Sequence, residues 1–188
     1  MRRVVLFIAM SLDGCIADRD GRVDWLAAQG SDGEDAYAGF IQHVDTVVMG
    51  WNTYRQVVTE LSPGQWPYGD LTAYVVTHRD LPSTDRIRFT GRDPRALVED
   101  LRRQPGRDIW ICGGASLVRQ LTDSIDEYDI SVIPVLLGGG VPLFPPAERS
   151  VPLELAGTRC YGGVAELIYR RRTAPCPPLT NNQGDAQT

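Results

Sequence analysis

The chain has 188 residues, of which 43% are hydrophobic, and its formal net charge is −5 at pH 7. That length predicts one compact domain with enough apolar side chains for a core. The acidic balance argues against a nucleic-acid partner and against an anionic membrane surface, because both call for a basic face on the protein.

The chain start predicts a buried first strand and no export signal. Two arginines precede the apolar run at residues 4–10, but the run is short and no small-residue cleavage site follows it. No apolar stretch approaches the ~20 residues needed to span a bilayer, so we expect a cytoplasmic protein. The four cysteines are scattered without a CxxC pair, which favours free thiols and no metal site.

Apolar runs of strand length alternate with amphipathic stretches along the chain, which indicates an α/β fold. Helices are predicted at residues 34–43, 51–60, 94–104 and 115–124. Strands are predicted at residues 4–10, 46–49, 71–77, 86–90, 108–112, 128–137, 153–160 and 164–171. Asp93 is expected to cap the helix that begins at Pro94. Residues 1–172 form the predicted domain, and residues 173–188 are too polar and proline-rich to be anything but a disordered tail.

Two strand–glycine–helix junctions are the strongest signal of a ligand site. One is at residues 47–53, around Gly50, and the other is at residues 109–117, around Gly113 and Gly114. A helix start leaves backbone N–H groups unpaired, and glycine lets a phosphate approach the backbone closely. Either junction alone is better explained as a turn, whereas both together favour a bound diphosphate. The glycine run at residues 138–140 leads into prolines and predicts a sharp turn instead.

Four motifs occur in an order that resembles the dihydrofolate reductase-like superfamily. They are SLDGCIA at 11–17, MGxxTY at 49–54, CGGASL at 112–117 and PVLLGxGxPLF at 134–144. The similarity is greatest to the branch that contains the reductase domain of bacterial riboflavin biosynthesis, and it covers about residues 2–172. It implies a three-layer α/β fold, with a mostly parallel sheet of about eight strands and helices on both faces. It also implies NADPH as hydride donor and a homodimer formed through the C-terminal strands.

The same resemblance assigns cofactor contacts to positions of this chain. It places the main chain of Ala9, Ile16 and Ala17 against the nicotinamide. It places Thr77, His78 and Arg79 at the adenosine 2′-phosphate, where a hydroxyl and a guanidinium suit a phosphate monoester. The phosphate-binding junctions it implies comprise Gly50, Trp51, Asn52 and Thr53, with Gly113, Gly114, Ala115, Ser116 and Leu117.

One position departs from the family pattern. Many relatives have an arginine directly after the glycine of the MG motif, and this chain has Trp51. The substitution removes a cation from the phosphate side of the cofactor. Trp51 either stacks on the adenine or covers the core.

The proton donor has three candidates. By spacing back from Gly50, Glu34 or Asp35 occupies the position of the catalytic carboxylate of dihydrofolate reductases, although both also suit the first turn of a helix. Asp13 lies in the motif next to the expected nicotinamide, and it equally suits a turn ahead of Gly14.

We therefore expect an NADPH-dependent reductase acting on a C=N or C=O bond of a small molecule, pterin-like, pyrimidine or another heterocycle. The ribosylaminopyrimidine of the riboflavin pathway and dihydrofolate remain alternative substrates. A protein that binds NADPH without turnover, or a structural homodimer, remains the alternative from another class.

Overall fold

The computed structural model of the protein describes residues 1–29, 34–147 and 149–172. Eight strands form one sheet, and two short strands form a separate ribbon. In chain order the strands are β1 (Val4–Ser11), β2 (Cys15–Ala17), β3 (Val44–Gly50), β4 (Thr72–Val76), β5 (Ile87–Thr90), β6 (Asp108–Gly113), β7 (Glu127–Ile133), β8 (Val141–Pro142), β9 (Leu153–Tyr161) and β10 (Val164–Arg171).

The large sheet has the strand order β5-β4-β3-β6-β1-β7-β10-β9, and β2 pairs with β8 in the ribbon. The six strands from β5 to β7 run parallel to one another, and β10 is antiparallel to both β7 and β9. The central strand β1 therefore lies between two parallel neighbours, which explains its nearly continuous apolar sequence. This mostly parallel eight-stranded sheet confirms the α/β prediction.

Helices cover both faces of the sheet. They are α1 (Glu34–Ile41), α2 (Trp51–Gln56), α3 (Pro94–Arg103) and α4 (Ala115–Leu121). A π-helical turn, Val57–Leu61, continues α2, and a 3₁₀ helix spans Asp24–Gln29. One core cluster holds side chains of α3 and α4 with Leu6, and the other packs α1 with Val47 and Trp110. These two cores on opposite faces of the sheet confirm the three-layer prediction.

The structure corrects three predictions about strands. The strand predicted at residues 128–137 ends at Ile133, because Pro134 has no N–H to continue the ladder. The ribbon β2–β8 was not predicted, since strands of three and two residues leave no periodic pattern. The polar, glycine-rich segment at residues 11–33, for which no helix or strand is predicted, contains both β2 and the 3₁₀ helix. The tail predicted at residues 173–188 lies outside the described residues.

The N-terminus of α3 is capped as its sequence predicts. The Asp93 side chain accepts a hydrogen bond of 2.9 Å from the Ala96 N–H, and Pro94 occupies the first turn. Replacing Asp93 by alanine is expected to lower the free energy of unfolding by about 1 kcal/mol, because that N–H loses its acceptor. Urea unfolding measures the loss, and Asp80→Ala, at an exposed position after β4, is the control. Equal losses in the two variants would contradict the capping role.

Candidate cofactor and substrate site

The carboxyl-terminal half of β1 is open although the strand is central to the sheet. Val4, Val5 and Leu6 are buried, whereas residues 7–10 are only half-buried. In open α/β sheets, ligands bind in the crevice outside the carboxyl ends of the strands. Ala9 lies in this open half, and the family resemblance implies that its main chain lies against a nicotinamide.

The two glycine junctions lie side by side next to this cleft. β3 and β6 are parallel neighbours, with Met49 in register with Gly113, so α2 and α4 begin at the same edge of the sheet. Gly50 and Gly114 are the residues before the two helices, both in extended conformation. A Cβ added to Gly50 would lie 3.9 Å from the Gly114 N, and one added to Gly114 would lie 3.4 Å from Oγ1 of Thr53. The junctions thus form one cradle, whose backbone a bulkier residue would cover.

The first turns of α2 and α4 present the predicted phosphate-binding residues to this cradle. Asn52 and Ser116 are exposed, and Trp51, Thr53 and Ala115 are half-buried. The first N–H groups of a helix have no partner within the helix, so they are available to an anion.

Leu117 is different from the other members of the second junction. Its side chain is 4% exposed in the core under α4, and its N–H donates to the Gly114 carbonyl at 3.0 Å. Its contribution to the junction is therefore to hold α4 against the sheet.

Ile16 and Ala17 lie on β2, the strand that pairs with β8. Ile16 is half-buried against the core on the α3–α4 face, and Ala17 is buried. The structure therefore places β2 beside the end of β1. The contacts of Ile16 and Ala17 with a nicotinamide stay a prediction.

Asp13 is fully engaged in holding a turn. Its Oδ1 accepts hydrogen bonds from Oγ of Ser11 (2.6 Å) and from the Leu137 N–H (3.2 Å), and its Oδ2 accepts one from the Gly138 N–H (2.8 Å). The hydrogen bond from Ser11 first, and then those from Leu137 and Gly138, lower the pKa of Asp13 below its usual value. An acid held ionised in this way is a poor proton donor, so the geometry favours the turn interpretation.

Glu34 and Asp35 are the first residues of α1, as the sequence predicts. Their side chains lie outside the described residues, so their predicted proton-donor role stays a prediction.

The residues after β4 form a turn beside Trp51. Thr77 is 7% exposed, and its hydroxyl accepts a hydrogen bond of 3.1 Å from the Arg79 N–H. His78 and Arg79 are exposed, and the Arg79 guanidinium carbon lies 4.8 Å from the centre of the Trp51 ring. Thr77 thus shapes the turn, and Trp51 carries a cation on its face where many relatives have an arginine side chain.

Aromatic side chains line the sheet face on the α1 side of the cleft. The rings of Phe7 and Phe40 stack with centroids 4.1 Å apart, and the Tyr68 hydroxyl lies 3.6 Å from Sγ of Cys112. Burial raises the pKa of Cys112 to about 11 and also raises the pKa of Tyr68, so both groups are neutral. This wall suits a flat, uncharged ring system.

Two buried acids on the same face of the sheet are not among the site residues that the sequence predicts. Asp129 and Glu166 are 7% and 0% exposed, on β7 and β10 respectively. The signal was available: each is a charged residue at a position where the strand alternation predicts an inward side chain.

The described part of the chain has neither a membrane-spanning helix nor a cluster of metal-ligating side chains. No helix there is both long and apolar enough to cross a membrane. Within the same residues, no three histidine, cysteine, aspartate or glutamate side chains are grouped as metal ligands would be.

Two known proteins are similar to this chain in sequence. The chain is 43% identical over 173 residues to the uncharacterized protein YwjB of Bacillus subtilis strain 168, covering 90% of this chain and 98% of that protein. It is 29% identical over 180 residues to the uncharacterized protein YyaP of the same strain, covering 89% and 94%.

Two crystal structures have the same architecture. A protein from Shewanella sp. PV-4 assigned to riboflavin biosynthesis superposes with a TM-score of 0.80 at 28% identity, covering 90% of this chain and 99% of that one. The diaminohydroxyphosphoribosylaminopyrimidine deaminase/5-amino-6-(5-phosphoribosylamino)uracil reductase of Thermotoga maritima superposes with a TM-score of 0.68 at 14% identity, covering 91% and 57%. The latter shows likeness of fold alone.

The chain also matches the model of a protein family over most of its length. The model of the RibD C-terminal domain matches residues 2–165. The strand order, the paired glycine junctions and this match agree: the chain belongs to the RibD C-terminal domain family, which has a dihydrofolate reductase-like fold.

Proposed function

We propose that this protein is an NADPH-dependent reductase that transfers a hydride to a C=N or C=O bond of a small heterocycle. The observation that carries the proposal is the open half of β1, flanked by two glycine junctions whose backbones nearly touch. An uncovered apolar strand end in the middle of a sheet calls for a ligand, and the junctions suit its diphosphate.

The residues present fit a nicotinamide dinucleotide. Glycine at positions 50, 113 and 114 keeps the cradle open, and the first turns of α2 and α4 direct N–H groups toward it. Ala9 leaves room for a flat ring above β1. When bound, the reduced nicotinamide supplies the hydride, and the chain positions the acceptor and supplies the proton.

Arg79 supports a preference for NADPH over NADH. Its guanidinium is exposed and lies on the Trp51 ring, next to the start of α2. A guanidinium there can bind a phosphate monoester through two parallel hydrogen bonds. The ring contact restricts the side chain before the cofactor arrives, which favours binding.

The surroundings of the cleft favour a heterocycle without a phosphate group. Between Gly14 and Gly50 the arginines are Arg19 and Arg22, and Arg19 donates a 2.6 Å hydrogen bond to the Gly138 carbonyl. Arg19 is thus held by the backbone, and the aromatic and thiol groups packed beside the open half of β1 are uncharged.

Titration with NADPH and with NADH, followed by tryptophan fluorescence, tests the proposal. We expect NADPH to bind at micromolar or lower concentration and more tightly than NADH. Arg79→Met is expected to weaken NADPH binding about 10- to 100-fold, because a charge-assisted contact worth ~1.5–3 kcal/mol is lost. The affinity for NADH should not change.

Arg88→Met is the matched control for this variant. The Arg88 guanidinium also lies over an aromatic ring, that of Tyr74, at 5.5 Å, but on the edge strand β5. Its removal should leave both affinities unchanged. Failure of the wild type to bind either nucleotide would refute the reductase proposal, and binding without any turnover would favour the non-catalytic alternative.

A further inference from the structure

The sheet contains a pair of acids where a core is expected. Asp129 on β7 is 7% exposed, and Glu166 on the neighbouring strand β10 is fully buried. Buried charges of this kind are costly unless they are paired or neutralised. Their retention in the sheet calls for a chemical explanation.

The strand register places these acids beside the open end of β1. Phe7 is in register with Asp129, and Ala9 with Ser131, across the parallel pair β1–β7. Ser131 is in turn opposite Glu166 across the antiparallel pair β7–β10. Since residues two apart on a strand share a face, all five side chains lie on one face of the sheet. The acids therefore lie one and two strands away from Ala9.

The carboxyl oxygens lack the donors that two carboxylates would need. Within the described residues, both oxygens of Glu166 and Oδ1 of Asp129 have no hydrogen-bond donor. Nε of Arg159 lies 2.9 Å from Oε2 of Glu166 as an ion pair, without the angle of a hydrogen bond. A single proton held between the two carboxyl groups removes the deficit, because the protonated group then donates to the other.

The local charges agree with a shared proton. Burial first, and then the charge of the nearby Glu166 carboxylate, raise the pKa of Asp129 to about 7. Arg159, from β9, opposes this effect, and Glu127, on β7, adds to it. One proton in the pair leaves one negative charge, which Arg159 offsets.

Two hydroxyl groups lie on the same face of the sheet as the pair, and Ser131 is in register with both Glu166 and Ala9. Oγ of Ser131 lies 3.2 Å from the hydroxyl of Tyr161, which is half-buried on β9. Burial first, and then the charges of Glu166 and Asp129, raise the pKa of Tyr161, so the phenol lies within the field of both acids. Ser131 is beside Ala9, and Tyr161 reaches solvent.

We infer that Asp129 and Glu166 together hold the proton that the substrate takes up on reduction, and that Ser131 and Tyr161 pass it on. The inference rests on the proposed function and identifies its proton source. It also explains why the acid at Asp13 can be committed to a turn.

Protons and electrons balance in the proposed reduction. The substrate carbon receives a hydride, the C=N or C=O π bond breaks, and its nitrogen or oxygen takes a proton from a hydroxyl. That hydroxyl recovers its proton from the carboxyl pair, which is left with two negative charges. A proton from water, entering through Tyr161, restores the pair for the next turnover.

Infrared difference spectroscopy of the whole protein tests whether a proton is shared. At pH 6 ordinary surface acids are ionised. We expect the C=O stretch of a protonated carboxyl in the wild type, and its loss in both Asp129→Asn and Glu166→Gln. Glu154→Gln, at an exposed position on β9, should keep the band. A wild type without the band would overturn the inference whatever the protein's activity.

A pair of related acceptors then tests the use of that proton. At pH 7.5, where part of the carboxyl pair still holds its proton, NADPH oxidation is followed with 3,4-dihydroisoquinoline, whose neutral C=N needs a hydride and a proton. The comparison is its N-methyl iminium ion, which needs only the hydride. Asp129→Asn and Glu166→Gln should slow turnover of the neutral imine about 100-fold, and leave that of the iminium ion unchanged.

The outcomes separate the two proposals. Slowing of the imine alone supports the inference. If the variants reduce each acceptor as fast as the wild type does, the inference is overturned and the reductase proposal stands. An equal loss with both acceptors would assign the pair a structural role, which also overturns it. If the wild type oxidises NADPH with neither acceptor, the infrared band alone decides the inference, and the nucleotide titrations decide the reductase proposal.

Discussion

Replacing Gly140 by alanine is expected to lower the free energy of unfolding by about 4 kcal/mol. An added Cβ would lie 2.1 Å from the carbonyl oxygen of Ala17, and this contact is between two backbones, so no side chain can move aside. The φ of Gly140, +152°, adds strain for any residue with a Cβ. Overpacking typically costs ~1–3 kcal/mol and backbone strain a similar amount, so their sum is large for one methyl group.

Gly138→Ala separates the two contributions. Gly138 belongs to the same glycine run and has a φ of +68°, but a Cβ there would meet nothing within 4 Å. The Gly138→Ala substitution should lower the free energy of unfolding by only about 1 kcal/mol, because it adds conformational strain alone. Urea unfolding followed by tryptophan fluorescence measures both variants. Similar losses would show that the approach of Gly140 to Ala17 does not constrain this part of the fold.

Replacing Gly114 by alanine is expected to weaken NADPH binding at least ~100-fold while the protein stays folded. The φ of Gly114, −86°, is accessible to alanine, so the backbone can keep its conformation. The new methyl group would lie 3.4 Å from Oγ1 of Thr53, in the space between the two junctions. Loss of one or two charge-assisted amide–phosphate contacts, worth ~1.5–3 kcal/mol each, accounts for the expected change in affinity.

Gly157→Ala provides the control for that experiment. Gly157 lies on β9 at the far edge of the sheet, and a Cβ there would be in ordinary contact, 3.8 Å from Cδ1 of Ile168. Isothermal titration with NADPH should give the wild-type affinity for this variant. If Gly114→Ala also binds normally, the phosphates do not lie between the junctions, and the proposed cofactor site is wrong.

The sequence predicted most of the large sheet because long apolar runs and glycine breaks have local causes. The strand that begins at Val4, the cap at Asp93 and both glycine junctions follow from spacing and propensity alone. The ribbon of β2 and β8 could not be predicted in the same way. It pairs Cys15 with Pro142, far apart in the chain, and each strand is too short for a period.

The candidate site was predicted in part for a similar reason. Residues that act through the backbone, such as Gly50 and Gly114, carry a recognisable motif. Asp129 and Glu166 do not, because their pairing depends on the register between two strands. Taken alone, each is one of several polar residues in its strand, and nothing in the sequence links the two.

Two loops distant in the chain are fastened to each other across the cleft. The Leu12 N–H donates to the Val135 carbonyl, and the Leu143 N–H donates to the Gly14 carbonyl, both at 2.9 Å. With the bonds of Asp13 and Arg19 to residues 137 and 138, both loops are ordered before any ligand arrives. The conformational entropy of this region is therefore lost during folding, and association with a ligand does not have to order it again. In kinetic terms, these two loops add no ordering step to the association of a ligand.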